Sequence, residues 1–215
     1  MGILLLSCIC ILGQPVQAAT QKSKALKAYK TFLSKNTVTW HSYSPKKINL
    51  KKCKFALAYI DKDSIPELIL YSAGNANSHA DGYYELYTFK NGKVKFVTNL
   101  MDGFSCYKKK GIFCAVHEGT GGYARYYYKL SQGKAVYKFL SVSEKKANMD
   151  LNGDGRIGVY YDKVTKARTP LYESATVRVS KTAFNRDLKK IVGNAKNKTV
   201  KYYSNTRANR AKRLK

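Results

Sequence analysis

The sequence predicts an α+β protein in which an antiparallel β-meander of about seven or eight strands forms a curved sheet with one helix near each end. Short apolar runs separated by turn dipeptides, such as Asn91-Gly92 and Gln132-Gly133, indicate hairpins in series. Apolar residues recur at helical spacing only near the two ends. With 215 residues, 44% of them hydrophobic, the chain can bury one domain's core. Intrinsic disorder and collagen-like structure are therefore excluded as classes for the chain as a whole.

The elements follow in order along the chain. An amphipathic helix is predicted over residues 21–35, and two strands, residues 53–60 and 67–71, flank a polar turn. The predicted meander follows, and its turns set the pairs Phe89–Val94, Tyr87–Phe96, Leu130–Ala135, Tyr128–Tyr137 and Tyr126–Phe139. Ser180 is predicted to cap a helix over residues 181–192, and Gly193 is predicted to end it. Phe184, Leu188 and Ile191 lie on one apolar face of this helix.

Spacing also predicts a disulfide between Cys106 and Cys114. If Lys109-Lys110-Gly111 is a three-residue hairpin loop, these two cysteines lie directly opposite each other, at a distance that a disulfide accepts. Three cysteines follow residue 20, namely Cys53, Cys106 and Cys114, so this pairing leaves Cys53 as a free thiol.

The charge distribution is the most unusual feature of the sequence. Lys and Arg number 40 against 13 Asp and Glu, for a formal net charge of +27. The segments 21–60 and 188–215 contain ten basic residues each and no acidic residue. We therefore interpret residues 20–195 as a single α+β domain and residues 196–215 as a basic C-terminal tail. The predicted polyanion-binding residues are Lys189, Lys190, Lys196, Lys198, Lys201, Arg207, Arg210, Lys212, Arg213 and Lys215.

A surplus of this size favours an anionic partner. The expected partners are an anionic cell-envelope polymer, an anionic lipid surface or a glycosaminoglycan, and nucleic acid is the less favoured one. If the helices of the two acid-free segments pack side by side, their cations form one positive surface. Two other functional classes remain open: a secreted hydrolase, directed at cell wall or nucleic acid, and a structural accessory protein. No nucleophile or phosphate-loop motif is present, so the sequence assigns no catalytic residue.

The N-terminal segment predicts export. Residues 1–20 contain no charged residue, residues 3–12 are mostly apolar, and small residues follow at Ala18 and Ala19. This pattern is typical of a secretory signal peptide over residues 1–19, cleaved near Ala18-Ala19. Acylation of Cys8 in a lipoprotein signal is the less favoured alternative.

One motif carries a family resemblance. The string FALAYIDKDSIPELIL at residues 55–70 resembles the motif F-x-L-x-D-I-N-x-D-G-I-P-E-L-I of secreted proteins and lipoproteins of Gram-positive anaerobes. The hairpin LYTFKNGKV at 86–94 and the basic ending at 202–214 are similar to that family too. The resemblance implies secretion and an α+β meander, and it implies no reaction. Tyr59 and Ser64 depart from the motif, so we interpret its acidic turn as structural.

A second acidic string predicts a calcium site as one of two alternatives. DLNGDGRI at residues 150–157 resembles the first eight positions of an EF-hand loop. Asp150, Asn152 and Asp154 would offer side-chain oxygens, and Arg156 its backbone carbonyl. The carboxylate expected at position 12 is Tyr161 instead, and a plain Asx/Gly-rich turn explains the same residues.

The three histidines form no recognisable site in the sequence. His41, His79 and His117 have no partner at helical spacing. A nuclease site built from His117, Glu118 and Arg125 is conceivable, but neighbours on one strand point to opposite faces.

Overall fold

The computed structural model describes residues 14–41, 45–72, 83–119, 122–144, 158–168 and 174–215. These residues form an α+β fold in which antiparallel sheet dominates, which confirms the predicted class. The helices are α1 (Gln14–Leu33), α2 (Lys181–Val192) and α3 (Arg207–Arg213), with a 3-10 turn at Leu50–Lys52. The first seven strands are β1 (Thr37–Trp40), β2 (Lys46–Asn49), β3 (Lys54–Ala58), β4 (Glu67–Tyr71), β5 (Tyr84–Lys90), β6 (Lys93–Leu100) and β7 (Gly103–Tyr107). The others are β8 (Ile112–Gly119), β9 (Gly122–Ser131), β10 (Lys134–Glu144), β11 (Val159–Lys166), β12 (Ala175–Val179), β13 (Asn197–Thr199) and β14 (Tyr203–Ser204).

The strands divide between two main sheets that pack face to face. The five-stranded sheet has the order β14-β3-β4-β5-β6, and the seven-stranded sheet has the order β12-β11-β10-β9-β8-β7-β13. One hydrophobic core joins their facing sides, with Ile69 and Leu86 from the first sheet packed with Phe113 and Tyr128 from the second. β1 and β2 form a separate two-stranded sheet.

Helices cover both outer faces of this sandwich. Residues of α1, the β1–β2 hairpin and the chain end pack on the outer face of the five-stranded sheet, where Tyr29, Trp40 and Leu214 are buried. The opposite outer face, on the seven-stranded sheet, is covered by Phe184 and Leu188 of α2. The protein is therefore a four-layer α/β/β/α sandwich with α1 and α2 on opposite sides.

The C-terminal segment is part of the fold rather than a loose tail. β13 pairs with β7 in one sheet, and β14 pairs with β3 in the other. Asn205 is buried, and its side-chain amide donates to the carbonyl oxygens of Leu33 and Leu50, at 2.9 Å each. Residues 196–215 therefore connect both sheets and close the α1 layer, and we expect that their removal would disrupt the fold.

The predicted hairpin turns are confirmed in register close to each turn. Asn91 and Gly92 have positive φ of 53° and 75°, and Phe89 pairs with Val94 as predicted. Next to the Gln132-Gly133 turn, Leu130 pairs with Ala135 and Tyr128 with Tyr137. Further along, a bulge between Tyr137 and Phe139 shifts the register by one residue, so that Phe139 faces Tyr127 and not Tyr126.

The predicted Cys106–Cys114 disulfide is absent. Tyr107 pairs with Ile112, so the loop contains four residues, and Cys106 lies opposite Phe113. A one-residue slip moves a side chain to the other face. Cys106 therefore lies between the sheets and Cys114 under α2, and neither of them nor Cys53 forms a disulfide.

The reason for this longer loop lies outside the hairpin itself. The backbone N–H of Lys109 donates to the carbonyl oxygen of Tyr59 at 2.8 Å, and that of Gly111 to Ile60 at 2.7 Å. Contacts with the end of β3 thus fix the loop conformation.

The predicted limits of α2 are confirmed. The Ser180 side chain accepts from the Ala183 N–H, and Gly193 ends the helix with a φ of 59°. Phe184 and Leu188 are buried as predicted, but Val192 is buried in place of the exposed Ile191.

Candidate polyanion-binding surface and an adjoining pocket

Parts of the two acid-free segments come together on one side of the molecule. We use the name basic layer for residues 20–41, 45–52 and 205–215, which contain α1, the β1–β2 hairpin, the 3-10 turn and α3. The layer covers the outer face of the five-stranded sheet and contains no Asp or Glu. Its exposed cations are Lys24, Lys27, Lys30, Lys35, Lys47, Lys51, Lys52, Arg207, Lys212, Arg213 and Lys215.

Local chemistry holds α3 in this layer. Thr206 caps the helix by accepting from the Asn209 N–H, at 3.2 Å. Arg210 donates to the backbone carbonyl and the side-chain oxygen of Asn205, and the Arg213 guanidinium lies 4.1 Å from the ring centroid of Tyr203. Arg210 and Arg213 therefore position α3. Because their guanidinium groups already contact this protein's own residues, they are less available to an anionic ligand than the other cations are.

The ten residues predicted for polyanion binding do not lie on one surface. Lys189 and Lys190 belong to α2 on the opposite side of the sandwich, where Lys190 lies 3.6 Å from the Asp187 carboxylate. Lys196, Lys198 and Lys201 are exposed along the crossing between the sheets, and the other five lie in or directly after α3. The expectation that the helices of the two acid-free segments pack side by side is wrong for α1 and α2, whereas α3 does pack beside α1.

A pocket opens next to the basic layer. It has a volume of about 400 Å³ and lies between the end of α1, the β1–β2 hairpin and the β5–β6 hairpin. Its lining residues are Phe32, Lys35, Thr37, Val38, Thr39, His41, Lys47, Tyr87, Val94 and Phe96.

A buried carboxylate supports one wall of this pocket. The Glu85 side chain is fully buried and accepts from the backbone N–H of His41 and from the Tyr87 hydroxyl. His41 Nδ1 lies 3.1 Å from Glu85 Oε1, and the imidazole stacks on Phe96 with 3.9 Å between centroids. Burial raises the pKa of Glu85, and the hydrogen bonds from Tyr87 and His41 oppose this shift. The pair fixes the orientation of the imidazole ring.

The sequence did not reveal this pair. His41 and Glu85 are 44 residues apart; His41 directly follows β1, and Glu85 lies in β5 of a different sheet. The available signal was weak: a charged residue, Glu85, interrupts the apolar run of a predicted strand, which requires a buried partner.

The proposed metal ligands find no support. Asp150, Asn152, Asp154 and Arg156 lie outside the described residues. Within the described ranges, no group of three or more His, Cys, Asp or Glu side chains could hold a metal ion.

The acidic turn between β3 and β4 forms hydrogen bonds within itself. Asp61 Oδ1 accepts from the Asp63 N–H, and Asp63 Oδ1 accepts from the Ile65 N–H. These bonds give the side chains of the turn a structural role, in line with its interpretation from the sequence.

The conceivable nuclease constellation is not assembled. His117 pairs with Ala124, which is buried in the core between the sheets, whereas Arg125 pairs with Val116. Adjacent pairs point to opposite faces of a sheet, so His117 shares no face with Glu118 or Arg125.

The chain matches no protein-family model, no curated protein and no solved structure. Among the residues that the structure describes, no helix has the length and apolar character needed to cross a bilayer. Fold and surface chemistry therefore carry the functional argument.

Proposed function

We propose that this protein is exported and binds anionic polymers through the basic layer. The observation that carries the proposal is that parts of the two acid-free segments, residues 21–52 and 205–215, share the basic layer although 152 residues of sequence separate them, and that this layer contains no acidic residue. The uncharged N-terminal segment supports export.

Electrostatics favours this kind of ligand. Attraction between exposed charges is weak pair by pair and is screened beyond about 8 Å at physiological salt. A polymer that meets many cations at once releases a counterion at each contact, so its affinity grows with the number of contacts and falls with salt. The eleven exposed cations of the layer provide such an array.

The test removes charge from the basic layer and leaves the packing unchanged. In a triple variant, Lys27, Lys30 and Lys212 are replaced by Gln; all three are exposed. We expect this variant to elute from a heparin column at a lower salt concentration than the wild type. On a duplex DNA reference, the log–log salt slope should become shallower by up to about 2.7, from about 0.9 per lost contact.

The matched control removes the same charge elsewhere. Lys93, Lys129 and Lys134 are exposed residues of β6, β9 and β10 and lie outside the basic layer. Their triple Gln variant has the same net charge and should keep most of the wild-type retention. Equal loss in both variants would mean that only net charge matters and would refute a specific basic layer.

A further inference from the structure

The pocket is lined partly by residues of the basic layer, but its aromatic residues give it a different chemistry from the rest of that layer. Its walls are aromatic: Phe32, Tyr87 and Phe96 line it, and the His41 ring stacks on Phe96. Cations stand at its edge, because Lys35 and Lys47 line the pocket and both are exposed. The Lys35 ammonium lies 5.8 Å from the centroid of the Phe32 ring.

The polar part of the pocket rests on a group that the fold buries completely. Burying a carboxylate away from water costs free energy unless hydrogen bonds compensate for the lost hydration. Glu85 accepts from the His41 backbone N–H and from the Tyr87 hydroxyl, and it lies 3.1 Å from His41 Nδ1; the Tyr87 and His41 side chains both line the pocket. The arrangement holds both rings in place before a ligand arrives.

The engaged nitrogen determines which part of His41 meets a ligand. Nδ1 faces Glu85, so Nε2 is the ring nitrogen left to face the pocket. Thr37 and Thr39 of β1 line the pocket together with His41, which directly follows that strand, and Lys47 pairs with Thr39. Hydroxyls, an imidazole and two lysines thus line the same pocket as three aromatic rings.

We propose that this pocket binds a phosphomonoester carried on a ring, either a flat aromatic ring or a sugar. Two lysines and a histidine suit a compact group of charge near −2, since Lys recognises phosphate as a point charge. The aromatic walls suit a ring, and a volume of about 400 Å³ falls in the usual range of small-ligand pockets, about 300–1,000 Å³. This proposal does not depend on polymer binding, which needs no pocket, although Lys35 and Lys47 belong to both surfaces.

Calorimetric titration with four probes tests the proposal. Phenyl phosphate and glucose 6-phosphate contain the anion and a ring, whereas inorganic phosphate has only the anion and phenol only the ring. We expect at least one ring phosphate to bind at least about tenfold more tightly than either partial probe. The tighter of the two identifies the ring as aromatic or sugar. If neither ring phosphate binds, or if a partial probe binds equally well, the proposal is overturned.

Variants locate the binding. Lys47→Gln should lower the affinity for the tighter-binding ring phosphate at least about tenfold, because it removes one charge-assisted contact. Lys51→Gln is the matched control, since Lys51 is also an exposed lysine of the basic layer but does not line the pocket. Equal loss in both variants would overturn the proposal.

Heparin retention, measured on the same variants, separates this proposal from the polymer proposal. Lys47→Gln and Lys51→Gln each remove one cation from the layer, so both should lower retention slightly and equally. Glu85→Gln adds a second test of the pocket, because it removes the group that orients His41. It should lower the affinity for the ring phosphate and leave heparin retention unchanged. An unchanged affinity for the ring phosphate would refute the positioning role of Glu85.

Discussion

Glu67 provides the sharpest test of how charge is distributed in this fold. It is the first residue of β4, it is 1% exposed, and its carboxylate accepts from the Ile60 N–H at 3.1 Å. Burial, followed by repulsion from Asp61 and Asp63, raises the pKa of Glu67 to about 9. We predict that Glu67→Gln stabilises the protein at neutral pH.

The sign and magnitude follow from proton linkage. The native state keeps the Glu67 proton up to about pH 9, whereas the unfolded chain loses it near 4.5, so native stability falls as pH rises between these values. At pH 7.5 the difference is about three pKa units, which is about 4 kcal/mol. Gln avoids this cost and retains an oxygen for Ile60, but its second N–H needs a partner. The cost of that unpartnered N–H is the same at every pH, so we expect a net gain of about 2–3 kcal/mol at pH 7.5 and a net loss of about 1 kcal/mol at pH 4.5.

Urea unfolding at pH 4.5, 6.0 and 7.5 measures the effect. The control is Glu118→Gln, which removes the same charge from an exposed position of β8 and should change stability by less than about 0.5 kcal/mol at each pH. If Glu67→Gln has the same effect at every pH, or destabilises at pH 7.5, the linkage argument is refuted.

Two further predictions concern the C-terminal segment and the thiols. Asn205→Ala removes the amide that donates to two carbonyl oxygens and should lower the free energy of unfolding by about 2–4 kcal/mol, measured by urea unfolding. Asn194→Ala, at an exposed position, is the control. Equally small effects of the two substitutions would contradict the structural role of the segment. Burial raises the pKa of Cys106 to about 11 and of Cys114 to about 12, so the native thiols should react slowly with iodoacetamide at pH 8 and all should react after unfolding without reductant. Thiols that mass spectrometry finds labelled only after reduction would contradict the register.

Local features of this protein were predictable from its sequence. The Asn91-Gly92 turn, the Ser180 cap and the Gly193 helix end each depend on the conformational preferences of a few adjacent residues. The acid-free segments were equally visible, so the presence of concentrated positive charge could be predicted. Its arrangement could not.

Tertiary structure decided how these parts combine. The four-residue loop that separates Cys106 from Cys114 depends on carbonyl groups of the distant β3 end, and the bulge after Tyr137 changes the register far from its turn. α3, not α2, joins α1 in the basic layer because Asn205 and Leu214 find buried partners there. The His41–Glu85 pair arises in the same way. Each of these contacts joins residues far apart in the chain, and its free energy exists only once the sheets have packed, so no short-range pattern in the sequence records it.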